Sequence, residues 1–337
     1  MRRRWIFWIL IIIAIAVVIA RSTEVSRLAQ TLYNGVWEWV IVSAVLQFLF
    51  YSMYAAMYRI SFSTVQVESR IHDLLPVVFS SIFVNVAVPT GGASGLALFI
   101  DDAVRRGQSA ARATAGVLLL LTVDFSAFAV VLGLGLASLA ISGNLHSYEL
   151  GAAGILIAII ISLNVALFMG LWKPWILLHM LKWIQRLVDR VAGWFKRQDY
   201  LPEDWAATHA MDFAAASAAI AAHPLRLART FAVSLIAQAI NVASLYVLFL
   251  AFFHPVPIGT VVAGYAIGNL FWIVSITPQG VGVVEGVMAL AFSSLGVPVE
   301  TSAVIAVAYR GLAFWLPMGV GFIVLRRVRS FRHERGI

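Results

Sequence analysis

The chain has 337 residues, of which 61% are hydrophobic and only 12% charged, with a mean hydropathy of +0.91. Several apolar runs exceed the roughly 18 to 20 residues that cross a bilayer, which excludes a soluble globular fold and leaves no room for a separate soluble catalytic domain. There is no cysteine, hence no disulfide or thiolate metal site, and the net charge of +8 comes from basic residues that flank apolar runs, as topology signals and anionic-headgroup contacts do, rather than from a nucleic-acid surface.

Arg2, Arg3 and Arg4 precede the first apolar run, 5–20, and place the N-terminus in the cytoplasm. Val18-Ile19-Ala20 suits a signal-peptidase cut, but the run is long for a signal sequence and reads as a retained anchor. Segment 36–58 crosses back, followed by Arg59 and Arg70. Segment 74–100 is broken. After Asn85 it runs Val86-Ala87-Val88-Pro89-Thr90-Gly91-Gly92-Ala93-Ser94-Gly95. Proline removes a backbone donor and glycine loosens the chain. In a membrane such a break is tolerated only where protein or a polar cavity satisfies the freed backbone groups. If 74–100 crossed once, Lys173, Lys182, Arg186, Arg190, Lys196, Arg197, Arg226 and Arg229 would all lie outside, against the positive-inside bias. A hairpin that enters from the cytoplasmic side and returns there removes the conflict.

Spans at 113–141 and 150–172 follow, then a cytoplasmic link over 173–229. Within the link, Met180, Ile184, Leu187, Val188, Val191 and Phe195 recur at helical spacing opposite Lys182, Arg186, Arg190 and Arg197, which describes an amphipathic helix in the headgroup plane. The Ala-rich stretch Trp205 to Ala222 is helical by propensity and stops at Pro224. A span at 230–253 leads to a second broken segment, 258–297, which carries Pro278-Gln279-Gly280-Val281-Gly282-Val283-Val284-Glu285. A last span covers 301–325. Charge parity requires 258–297 to be either two crossings or a hairpin from the outer face. Of the 24 basic residues, only Arg21 and Arg27 then face outward and Arg310 lies within a span; the other 21 are cytoplasmic. The expected fold is therefore an all-α polytopic membrane domain with about six to eight membrane segments. Two inverted repeats, about 36–141 and 230–325, each contain a Pro/Gly-broken hairpin. Broken segments at matching positions of two halves point to a transporter's binding site.

These residues resemble a known family. The Asn85…Pro89-Thr90-Gly91-Gly92 break, the Gly107-Gln108-Ser109 turn and Asp124 fit its first half. Pro278 to Glu285, with Tyr309-Arg310-Gly311-Leu312-Ala313-Phe314-Trp315-Leu316-Pro317-Met318-Gly319, fits its second. Together they look like the flippase-like membrane domain of lysylphosphatidylglycerol synthases, also found as standalone prokaryotic membrane proteins. The resemblance covers about 36 to 325 and implies lipid movement between leaflets, without the synthase domain. Many relatives carry a Gly-Glu and then an Arg just after the first break; here Ser94-Gly95-Leu96-Ala97 stands in their place.

The candidate substrate-binding residues are Asn85, Pro89, Gly91, Gly92, Asp124, Pro278, Gly280, Gly282, Glu285 and Arg310. The glycines would leave N–H groups open at the start of each returning half-helix, where phosphate binds, or would simply permit close packing. Glu285 is a carboxylate in an apolar run, which costs roughly 2.5 kcal/mol or more and marks a functional site by default. It also sits in the first turn of a half-helix, where an acid stabilises the dipole. Asp124 and Arg310 lie 35 and 32 residues after Pro89 and Pro278, so a buried ion pair between them stands beside a gate or lipid-phosphate contact. The seven histidines have no ligand spacing, so no metal is expected, and no cofactor or nucleotide motif is present. The reading is a flippase of the plasma membrane that moves a phospholipid or lipid-linked headgroup, its partners being an anionic or phosphate-bearing membrane lipid and anionic headgroups at the cytoplasmic face. Its rivals are a non-transporting scaffold for envelope lipid or glycan enzymes and a membrane-embedded transferase.

Reporter fusions at Ile337 and at Ser147 test the topology. The 21-to-2 asymmetry of basic residues places the first inside and the second outside, and the opposite pattern would defeat it.

Overall fold

A computed structural model describes residues 36–325 except 89, 91, 195–201, 203 and 276, together with residue 328. The anchor at 5–20, Pro89, Gly91 and the basic tail lie outside the described residues, as do the side chains of α6 from position 187 onward.

Among the described residues, five helices are long and apolar enough to cross a membrane. They are α1 (Trp37–Thr64), α4 (Ala110–Ile141), α5 (Ser147–Trp172), α8 (Pro224–Ala251) and the composite of α11 (Val299–Arg310), a π-helical turn (Gly311–Trp315) and α12 (Leu316–Val324). The chain is all-helical among the described residues, a polytopic α-helical membrane protein. The helices run past the expected spans because their ends are capped by local chemistry. Ser109 accepts from the Arg112 N–H at the start of α4, Glu149 accepts from the His146 N–H at 2.9 Å before α5, and Pro224 opens α8.

The two broken segments each form a pair of short helices. The first is α2 (Ile71–Ala87) and α3 (Ala93–Arg105); the second is α9 (Ile258–Val274) and α10 (Val283–Ser294). At 1.5 Å per residue, the 17 residues of α2 or α9 reach about 25 Å, short of the roughly 30 Å hydrocarbon core. The link forms α6 (Pro174–Trp194) and α7 (Trp205–Ala222), which pack on each other; α7 also lies against α4 and α5.

Packing is reciprocal between the halves. α1 and α8 make the most extensive contact, α2 packs on α12, and α9 packs on α4. Small residues allow the close approaches, as expected where lipid supplies no hydrophobic drive between helices. A Cβ on Gly135 would lie 2.6 Å from that of Ala266, and one on Gly321 would enter the Phe79 carbonyl of α2. The stacked rings of Tyr58 and Phe99, 3.7 Å apart, fasten α3 to α1. Val45, Phe48, Leu134, Ile155 and Ile161 remain exposed on the outside of the bundle, which suits contact with lipid tails.

Gly321→Ala should destabilise the fold by about 1–3 kcal/mol, because the obstructing atom is backbone and cannot turn aside. Gly319→Ala, with nothing within 4 Å of its added Cβ, is the control. Equal melting temperatures for the two variants in detergent would contradict the α2–α12 contact.

Candidate functional site

The second break is held by one ion pair. Arg310 ends α11 and is 7% exposed; Glu285 sits in the first turn of α10. Arg310 Nε donates to Glu285 Oε1 at 3.0 Å, and Nη2 donates to the Gln279 carbonyl oxygen at 2.8 Å. The other carboxylate oxygen of Glu285, Oε2, accepts from the Gly282 N–H at 2.8 Å. Glu285 caps the half-helix, as its place in the first turn implied, and also neutralises a buried cation, a pairing that the sequence did not reveal. The Arg310 guanidinium carbon lies 4.4 Å from the centroid of the Phe314 ring, a cation–π contact. Nη1 makes no hydrogen bond among the described residues.

The turn itself is strained. Gln279 has φ of 54°, a left-handed conformation that L side chains adopt at a cost of roughly 1–2 kcal/mol. Its side-chain oxygen accepts from Trp272 Nε1 at 3.1 Å, and its carbonyl takes the Arg310 bond. Gly280 follows with φ of 67° and has no room for a Cβ, which would lie 2.5 Å from the Val284 side chain. Beyond Arg310 the π-helical turn shifts the register, and Tyr51 Oη of α1 donates to the Ala313 carbonyl within it at 2.6 Å.

The first break is closed by neutral groups. Asn85 Oδ1 accepts from the Gly95 N–H at 2.6 Å and from Ser94 Oγ at 3.0 Å. Thr90 Oγ1 accepts from the Ser94 N–H at 2.8 Å, and its carbonyl accepts from the Ala93 N–H at 3.3 Å. The expectation of open N–H groups at the start of α3 is corrected here, because its first three donors are already bonded. A Cβ at Gly95 would lie 2.5 to 2.8 Å from the Asn85 carboxamide. Gly92 is the N-cap of α3, at φ of 92°. The two breaks are neighbours: the turn Pro278–Gly280 packs against α2, and Val281 packs on the core cluster that holds Val84 and Ala87.

Asp124 does not pair with Arg310. This corrects the buried ion pair, one of the two readings that their offsets allowed. Asp124 Oδ1 accepts from Ser234 Oγ at 2.8 Å and from Gln238 Nε2 at 3.3 Å, both on α8. From there hydrogen bonds run across the bundle. Tyr265 Oη of α9 donates to Gln238 Oε1, and Asn241 Nδ2 donates to Tyr265 Oη at 3.3 Å. Gln47 Nε2 of α1 donates to Asn241 Oδ1 and to Ser244 Oγ, each at 3.0 Å, and the Ser43 and Ser244 hydroxyls lie 2.8 Å apart. Tyr309 Oη donates to Asn241 Oδ1 at 3.4 Å, beside Arg310. The sequence reading missed this seam. Its signal was a stripe of Ser234, Gln238, Asn241 and Ser244 along one face of an apolar span.

The chain belongs to the family described as the lysylphosphatidylglycerol synthase TM region, whose model matches residues 5–321. It is similar to a UPF0104 membrane protein of Methanocaldococcus jannaschii, 33% identical over 85 residues, a stretch that covers 25% of each chain. It is also similar to a UPF0104 membrane protein of Methanothermobacter thermautotrophicus, 21% identical over 295 residues, or 84% of this chain and 83% of the relative. Membrane location follows from the apolar helices and the family together.

Removing one partner of the buried pair leaves an uncompensated charge, at about 3–5 kcal/mol. Arg310→Gln or Glu285→Gln alone should therefore lower the yield of monodisperse protein on size-exclusion chromatography, and the two together should restore it. Single variants as well folded as wild type would refute the pair's structural role.

Proposed function

We propose that this protein moves a phosphate-bearing lipid, either a phospholipid or a lipid-linked headgroup, between the leaflets of the plasma membrane. It acts by transport rather than catalysis and without a cofactor. Its two hairpins enter from opposite faces as parts of inverted repeats, and both termini are cytoplasmic. One observation carries the reading: inside a span, at a strained break, Arg310 is fixed by Glu285 and the Gln279 carbonyl while its Nη1 makes no hydrogen bond among the described residues. A guanidinium is suited to phosphate because its donors match two anionic oxygens at once. Glu285 offsets its charge when no headgroup is bound, and a lipid phosphate would supply the second anion. The lipid tails remain in the bilayer. The reciprocal packing of α2 on α12 and α9 on α4 supports the repeat assignment. At the cytoplasmic face, α6 exposes Trp175 and Trp183 beside Lys182 and Arg186, a composition suited to anionic headgroups.

Leaflet exchange in proteoliposomes, measured over a panel of anionic, aminoacylated and polyprenyl lipids, tests this. Wild type should accelerate at least one phosphate-bearing lipid, and the folded Glu285→Gln/Arg310→Gln variant should lose that acceleration. Equal rates for wild type and the double variant would sink the role given to Arg310; wild-type inactivity on every lipid would sink the transport reading.

A further inference from the structure

Asp124 is the carboxylate that the proposed headgroup site does not use. It lies in the middle of α4, deep in a span, and no basic side chain lies within 4 Å of it among the described residues. Its bonds are two neutral donors, Ser234 and Gln238, and both meet Oδ1. Oδ2 accepts nothing among the described residues. The titratable groups that face it are tyrosines: Tyr54 and Tyr58 from α1 and Tyr265 from α9. No charged group of α3, α5, α7 or α8 is paired with it among the described residues. An ionisable group in such a place is costly and is the usual element of an intramembrane proton relay.

One further feature bears on it. Asp124 begins the hydrogen-bonded seam through Gln238, Tyr265, Asn241 and Gln47, so a change in its protonation alters the first link of a chain that ends on α1.

We propose that Asp124 is a proton-binding site at the head of the seam, and that lipid movement is coupled to that proton. The coupling, though not the proton site, rests on the transport reading above. When Oδ2 holds the proton, the charge cost at Asp124 is removed; when it leaves, only Ser234 and Gln238 stabilise the anion, and the seam must hold them in place. Protonation and seam geometry are therefore linked.

The test uses the full chain in proteoliposomes. Infrared difference spectra between mildly acid and mildly alkaline buffer should show a protonated-carboxyl band that Asp124→Asn abolishes. Ser234→Ala combined with Gln238→Leu should shift the pH at which that band appears. Identical difference spectra for wild type and Asp124→Asn would overturn the proton site. Should Asp124→Asn fail to fold, Asp124→Glu serves, and a band that neither moves nor changes its pH midpoint gives the same refutation. In the same vesicles an imposed pH gradient should change the wild-type rate of lipid exchange, and the folded Asp124→Asn variant should lose the response. An equal response in both would overturn the coupling. An Asp124 band in a wild-type protein that moves no lipid would refute the transport reading and leave the proton site standing.

Discussion

A helix that stops inside a bilayer frees backbone groups that no water can satisfy, and everything distinctive in this protein answers that constraint. Each break meets it differently. At the first, three neutral side chains close the returning half-helix: Asn85, Thr90 and Ser94. At the second, a carboxylate caps the Gly282 N–H and a guanidinium takes the Gln279 carbonyl. The neutral solution is self-contained. The charged one brings two ionised groups into an apolar span, each of which is tolerable only while the other is present. It also leaves donor capacity on Arg310 that the described residues do not consume. The asymmetry between the breaks is thus chemical as well as positional, and only the second offers a charge to a passing anion.

The spans were legible because length and apolarity decide them, and the breaks were legible because proline and glycine cannot hide in an apolar run. Glu285 and Arg310 stood out singly for the same reason. Their pairing did not. Counting residues from Pro89 and Pro278 gives depth along a helix, and by depth Asp124 and Arg310 match; it says nothing about which face each presents. Arg310 faces its own hairpin, 25 residues back to Glu285, while Asp124 faces α8, 110 residues on. The π-helical turn directly after Arg310 is a second departure from regular counting.

The seam was illegible for another reason. Gln47, Gln238 and Asn241 are uncharged, and one amide in an apolar run resembles any other until the facing helix is known. The closure of the first break had a clue that gains meaning only in three dimensions. A side chain at 95 would collide with the Asn85 carboxamide that caps α3, so Gly95 and the neutral cap are one feature.

These contacts differ in how easily they yield. Interhelical hydrogen bonds in membranes average only about 0.6 kcal/mol, because hydroxyls and amides find other partners when helices shift. The α1–α8 seam is built from such groups, so Ser43, Gln47, Asn241 and Ser244 can re-pair at low cost. The Gly321 contact cannot re-pair, since its neighbour is backbone, and it ties the first hairpin to α12. The Glu285–Arg310 pair yields only to another anion. On the transport reading proposed above, a phosphate at Arg310 would compete with Glu285 for the guanidinium and so loosen the clamp on the second hairpin, while the weaker hydrogen bonds of the seam re-pair around it.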